Sequence, residues 1–216
     1  MTQVVDSLAS AQGRQLSQWL PPPDGSARSA AVLVLFGAGA DGQGDVLLIE
    51  RAATMRSHAG QVAFPGGAVD PGDGGAAAAA LREAHEETGL NPAGIDVVVT
   101  LPELYLPPSG FAVTPVVGWW REPSPIHAEA VQEVAEVVRV PLPELLDPRN
   151  RFSTRLVTGH VGPGFEAGGL FVWGFTAGLL SRMLALAGLE RPWDATVVRP
   201  VPASQLAVPL DQVVQP

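Results

Sequence analysis

Residues 76–88 read AAAAALREAHEET and are followed by Gly89. Alanine is the best helix former. A glycine at the end supplies the left-handed residue on which many helices stop. The segment therefore predicts a helix, and its charge pattern is costly. At about 100° per residue, Glu83, Glu86 and Glu87 lie within roughly one third of the circumference. Glu83 and Glu87 stand one turn apart, and like charges at that spacing destabilise a helix unless a cation sits among them. Ala77, Leu81, Ala84 and Thr88 fall on the far side and form the packing face. A solvated acidic face is the plain alternative. Hard divalent cations such as Mg2+ or Mn2+ prefer oxygen ligands, so the three glutamates are the candidate metal ligands.

Strand-like runs surround this helix. AAVLVLF and VLLIE, separated by GAGADGQGD, predict a hairpin. QVAF is a short strand inside a glycine- and proline-rich loop that ends in FPGG. IDVVVTLPEL, FAVTPVVGWW and EVAEVVRVPL each read as a strand, and RFSTRLV and GGLFVW as a further pair. Residues 7–20 predict a short helix, and residues 174–188 the last long one. Strands mixed with two long helices indicate an α+β fold, an α/β/α sandwich. The expected division is an N-terminal helix and linker over 1–29, one domain over 30–190, and an irregular tail over 191–216 packed on or beside it.

Bulk composition narrows the partners. The 216 residues carry a formal net charge of −9, a poor basis for gripping nucleic acid through its phosphates. Every basic side chain is an arginine, and there is no cysteine, which excludes disulfides, thiolate catalysis and thiolate metal sites. No basic region followed by an apolar run opens the chain, so no signal peptide is expected. Both features fit a cytoplasmic protein. The most apolar helical stretch is interrupted by Ser181 and Arg182, whereas a membrane span needs about 20 mainly apolar residues.

The segment REAHEETGL, preceded by Gly66 and Gly67, resembles the signature of the Nudix hydrolase family: glycine, five residues, glutamate, seven residues, then R-E-apolar-x-E-E-x-G-apolar. Arg82, Glu83, Ala84, Glu86, Glu87, Gly89 and Leu90 match its second half without a gap. The first half departs, because Gly74 stands where the family usually has glutamate. Asp73 is the nearest acid, and its simplest structural reading is an N-cap for the helix. The coenzyme A diphosphatase branch shares this shifted acid and carries a second motif, L-L-T-x-R-[S/A]-x3-R-x3-G-x3-F-P-G-G. Here LLIERAATMRSHAGQVAFPGG places Leu47, Leu48, Arg51, Ala52, Arg56, Gly60, Phe64, Pro65, Gly66 and Gly67 in register, with Ile49 in place of threonine. PPSGFAVTPVVG, EVAEVVRVPL and GFTAGLL extend the likeness over roughly residues 30–190.

The resemblance implies a Nudix fold with a mixed central sheet. It also implies metal-dependent hydrolysis of the pyrophosphate bond of coenzyme A or a derivative, and it makes a homodimer plausible. Glu83, Glu86 and Glu87 would hold Mg2+ or Mn2+, and Arg82 would orient them by charge pairing. Arg51 and Arg56 are candidates for phosphate contacts, because guanidinium forks match phosphate oxygens; strand-end solvation or a salt bridge is the alternative. Phe64, Gly66 and Gly67 belong to a turn whose backbone N–H groups can approach oxyanions. Ser109 and Phe111 are expected to line the pantetheine or adenine pocket, with Tyr105 as a second stacking candidate. His58 is a further phosphate candidate, and Glu133 or Glu136 an extra ligand from a loop; solvation is the simpler reading of all three. Trp119 and Trp120 read as packing or a subunit contact. Two other functions compete: hydrolysis of another nucleoside diphosphate derivative (ADP-ribose, a nucleotide sugar, a dinucleoside polyphosphate or a nucleoside triphosphate), and a non-catalytic nucleotide sensor.

Overall fold

A mixed eight-stranded sheet carries the molecule, as seen in a computed structural model that describes residues 7–39, 42–55, 58–107, 109–156 and 159–206. Its central strands are β1 (Arg28–Ala38) and β7 (Phe111–Trp120), which run parallel from Arg28↔Phe111 to Gly37↔Trp120. The remaining strands of this sheet are β2 (Gly44–Arg51), β3 (Val62–Ala63), β4 (Gly66–Ala68), β5 (Ile95–Thr100), β6 (Leu104–Leu106) and β8 (Val134–Pro141). The expected hairpin forms, with Phe36 opposite Val46, and β2 pairs along its other edge with β8.

Alternation along β1 divides the core between two faces. Leu33 and Leu35 point to one side, where they meet Ala79, Ala80 and Ala84 of α2 (Ala76–Thr88). Val34 points to the other, against α4 (Gly174–Leu186) through Ala177, Leu180 and Met183. Helices therefore cover both faces, the expected sandwich. Each fully buried leucine contributes about 1.5–3 kcal/mol relative to exposure. Two further short helices are α1 (Gly13–Leu16) and α3 (Leu142–Leu146); residues 7–9 are helical as well, so the helix expected over 7–20 is interrupted. No helix among these residues is long and apolar enough to cross a membrane.

Several elements differ from expectation. IDVVVTLPEL is two strands, β5 and β6, separated around Pro102. RFSTRLV and GGLFVW do not pair with each other: β10 (Val161–Ala167) lies between β9 (Arg151–Arg155) and β11 (Leu170–Val172) in a second, four-stranded sheet. Two glycines and a proline in VGPGFEA hide that strand. The tail beyond Arg191 is not wholly irregular, since β12 (Val198–Pro200) adds to β9 in parallel.

Candidate active site

The N-cap of helix α2 is Gly75, so the helix starts at Ala76 without a side-chain cap. It ends at Gly89, whose φ of 67° lets its N–H reach the His85 carbonyl. The backbone N–H groups of His127 and Glu129 satisfy the carbonyls of Thr88 and Glu87. Ala79, Ala80 and Ala84 are buried against the sheet, and Glu83 and Glu87, four and eight residues after Ala79, lie on that same face. The acidic patch is therefore not opposite the packing face, and of the expected packing residues Ala84 and Thr88 are buried while Ala77 and Leu81 are half-buried.

The 64–67 turn is where the glycines matter. β4 pairs antiparallel with β1, Gly66 opposite Val32 and Gly67 opposite Ala31. A side chain at Gly66 would overlap the Ala31 carbonyl oxygen and the Val32 backbone. A methyl at Gly67 would stand 2.5 Å from the Glu83 carboxyl carbon. Without these two side chains, both glutamates pack directly under the turn. The Gly66 N–H donates to Glu87 Oε2 at 2.9 Å. Glu87 is buried, at 4% exposed, and Glu83 is half-buried.

Burial raises the Glu87 carboxyl to about 7. The Gly66 N–H and the Arg51 charge pull it down, while Glu83 and Glu133 add to the rise. Burial likewise raises Glu83, opposed by its hydrogen bond and charge pairing with Arg82. A carboxylate in this state carries negative charge that its protein surroundings do not fully compensate.

Arg82 organises the outer edge of the site. Its Nε donates to Asp73 Oδ1 and its Nη2 to Asp73 Oδ2, each at 3.0 Å. Its Nη1 donates to Glu83 at 3.0 Å and Glu86 at 3.2 Å, and Nη2 also to the Ala68 carbonyl. Asp70 stands 3.7 Å away. Asp73 is therefore not the N-cap expected of it. It receives the Asp70 N–H on the carboxylate that clasps Arg82. Arg82 holds its carboxyl below the usual range.

Glu83 and Glu87 thus meet under the turn, whereas Glu86 is exposed and paired outward with Arg82. Among the described residues, no three histidine, cysteine, aspartate or glutamate side chains converge as a ready cage for a cation. The donor set nevertheless fits a hard divalent ion. It offers only carboxylate oxygens, and the uncompensated Glu87 is the place where positive charge has most effect.

Arg51 ends β2, and its Nε is buried without a hydrogen-bond partner. Its charge acts on Glu87, which places it on the site side. Arg56 lies outside the described residues. At 2% exposed, the Phe64 side chain belongs to the core below the turn. Ser109 and Phe111 are engaged elsewhere: Arg28 donates to the Ser109 carbonyl at 3.1 Å and lies over the Phe111 ring at 4.2 Å. One face of that ring is therefore covered by the guanidinium. Tyr105 lies in β6, with its backbone N–H on the Trp19 carbonyl. His58 Nδ1 bonds Gln61 Oε1 at 2.9 Å, so it is not the solvated side chain expected. Glu133 and Glu136 are exposed. Trp120 is core, capped by Arg139 at 5.1 Å. A cavity of about 500 Å3 between Thr54–Met55 and Gln132–Glu133 opens beside Arg51, where the Ala52 N–H meets the Glu133 carbonyl. Sequence reasoning missed this cavity and Arg28; neither belongs to a recognisable motif.

Residues 26–159 match the NUDIX domain family. The chain is 45% identical over 158 residues to "Uncharacterized Nudix hydrolase NudL" of Cronobacter sakazakii, covering 68% of this chain and 77% of that one. It is 43% identical over 159 residues to the protein of the same description in Citrobacter koseri, with the same shares. In three dimensions it resembles RenU, a Nudix hydrolase from M. smegmatis. The TM-score is 0.55 at 22% identity, covering 82% of this chain and 99% of the other, a likeness of fold.

Proposed function

The chain belongs to the Nudix family, and from that premise we propose that it hydrolyses the pyrophosphate bond of coenzyme A or one of its derivatives. At the family level it is a pyrophosphohydrolase acting on a nucleoside diphosphate derivative, and such enzymes use divalent metal ions. The observation that carries the reading is the Gly66 N–H to Glu87 hydrogen bond, which holds a buried carboxylate under the 64–67 turn. The spacing from Leu47 to Gly67 supports the substrate.

The substrate would lie with its diphosphate over the 64–67 turn. The Arg51 guanidinium would face its oxygens, offsetting the field of a chain whose net charge is −9. The cavity beside Thr54 and Met55 would take the group attached to the diphosphate. Mg2+ or Mn2+ held by Glu83, Glu86 and Glu87 would neutralise the phosphate oxygens and make water more acidic. Water adds to one phosphorus, the bridging P–O bond breaks, and the released phosphate keeps the bond's electrons. A carboxyl poised near neutrality, such as Glu87, can hold the water's proton at its oxygen. Arg82, tied to Asp73, keeps Glu83 aimed beneath the turn. The products are 4'-phosphopantetheine, or its acyl form, and adenosine 3',5'-bisphosphate. The active form is a homodimer in the cytoplasm.

The test is purified protein with Mg2+ or Mn2+ and a panel of coenzyme A, ADP-ribose, a nucleotide sugar, a dinucleoside polyphosphate and a nucleoside triphosphate, with products separated by chromatography. Coenzyme A is expected to show the highest kcat/KM. Preference for ADP-ribose would overturn the substrate, and no turnover of any member would leave a nucleotide-binding role.

A further inference from the structure

The loop that follows Arg51 is tied to the C-terminal part of the chain by side chains outside the family motifs. The Gln61 side chain sits at the centre. Its Nε2 donates to the Gln205 carbonyl at 2.9 Å, and its Oε1 bonds His58 Nδ1 at 2.9 Å. A carbonyl oxygen only accepts, so His58 carries its proton on Nδ1. Gln205 is itself anchored: it is 8% exposed, and its Oε1 accepts the Trp173 indole N–H at 2.6 Å. Its turn, Ala203–Gln205, presses on the loop, with the Ser204 carbonyl oxygen 3.4 Å from the position a methyl on Gly60 would take.

The loop needs such an anchor. His58 has a φ of 58°, the one positive value outside glycine among the described residues, and a non-glycine residue persists there only where its surroundings hold it. The same loop is joined to the site arginine on both sides of its peptide. The Arg51 N–H donates to the Gln61 carbonyl at 2.9 Å, and the Gly60 N–H donates to the Arg51 carbonyl at 3.1 Å.

We propose that Gln205 is a positioning residue: bridging Trp173 and Gln61, it clamps segment 58–61 and so fixes Arg51 beside the diphosphate. The C-terminal segment thereby joins the binding machinery without touching substrate. The inference rests on the proposed reaction only for what Arg51 does. The clamp itself is independent of it.

Gln61→Leu, Gln205→Ala and the double variant test it in the full chain. Hydrogen–deuterium exchange of a peptide spanning residues 51–62 reads the clamp without any substrate. Both single variants are expected to speed exchange about fivefold, the loss of roughly one hydrogen bond, with the double variant no faster than the faster single one. Unchanged exchange in both would overturn the clamp. KM and kcat for coenzyme A read the positioning. A rise in KM of about fivefold with kcat within twofold is expected. Faster exchange with unchanged KM would overturn the positioning role. A wild-type protein that turns over no diphosphate defeats the proposed reaction instead, and the exchange experiment then decides the clamp by itself.

Discussion

Arg82 and Asp73 meet in a two-point fork, with both bonds at 3.0 Å. The relationship explains how the site keeps its geometry although Gly74 stands in place of the usual glutamate. A bidentate guanidinium–carboxylate pair fixes direction as well as charge. Arg82 is thereby aimed so that its remaining nitrogen reaches Glu83 and Glu86. Asp73→Asn keeps size but removes the charge and one acceptor. It is expected to lower kcat/KM by about 10- to 100-fold, the usual cost of losing a partner that orients a ligand, with little change in circular dichroism. Wild-type kcat/KM in this variant would show that Arg82 needs no such anchor.

Glu83 and Glu87 are the two carboxylates under the turn. Glu83→Gln and Glu87→Gln are each expected to reduce turnover by at least about 100-fold. Both should fold, because a buried neutral amide resembles the protonated acid. Glu86, exposed and turned toward Arg82, is expected to cost less than either. Initial rates with saturating Mg2+ or Mn2+ check the order. Unchanged turnover in both inner variants would refute the metal assignment.

Much of this was legible in the sequence. The alanine run and Gly89 define α2, and the spacing of three glutamates marks the site. The rest depends on contacts distant along the chain. Asp73 looks like a cap because it is the nearest acid before the helix, three positions ahead of Ala76; only the folded path of residues 68–73 brings it to Arg82. Phe64 lies in a motif that borders the site, yet its side chain goes to the opposite side from Glu87. β12 has little hydrophobic signature of its own and exists because β9 offers an edge. Phe111 is covered on one face by Arg28, 83 positions upstream, through the parallel β1–β7 register.

The raised Glu87 carboxyl makes the metal-free protein pH-sensitive. Its folded value of about 7 lies above the ordinary 4.5. A raised value means that its contribution to stability is fully present below the unfolded value and is lost as pH climbs through the folded one. The window is therefore about pH 4.5 to 7, and the loss is on the order of 3 kcal/mol. Glu83 shifts in the same direction. In chelator, the melting temperature should fall between pH 5 and pH 8, and Glu87→Gln should flatten most of that slope. Adding Mg2+ should restore wild-type stability at pH 8 by mass action. A wild-type slope that survives in the glutamine variant would place the titration elsewhere.

Arg51 has a buried, unpartnered Nε beside the site. Arg51→Ala is expected to raise KM for coenzyme A by about 10- to 100-fold, the worth of a charge-assisted bond to phosphate. Because Arg51 is placed beside the diphosphate, 3'-dephospho-coenzyme A should lose as much. A smaller loss with it would assign the arginine to the 3'-phosphate instead.

The two turn glycines should fail in different ways, because different atoms oppose them. Gly66→Ala drives a methyl into the Ala31 carbonyl and the Val32 backbone. Those atoms are locked in the β1–β4 pairing and cannot retreat. Such overpacking costs about 1–3 kcal/mol, a drop of roughly 2–12 °C in melting temperature for a chain of this size. Gly67→Ala meets the Glu83 carboxyl group instead, the free end of a flexible side chain. Glu83 can swing away, so stability should hold within about 3 °C while kcat falls at least tenfold, because the carboxylate leaves its place under the turn. Thermal melts and initial rates on the two proteins separate the cases. Full activity in Gly67→Ala would show that Glu83 need not lie against that glycine to work.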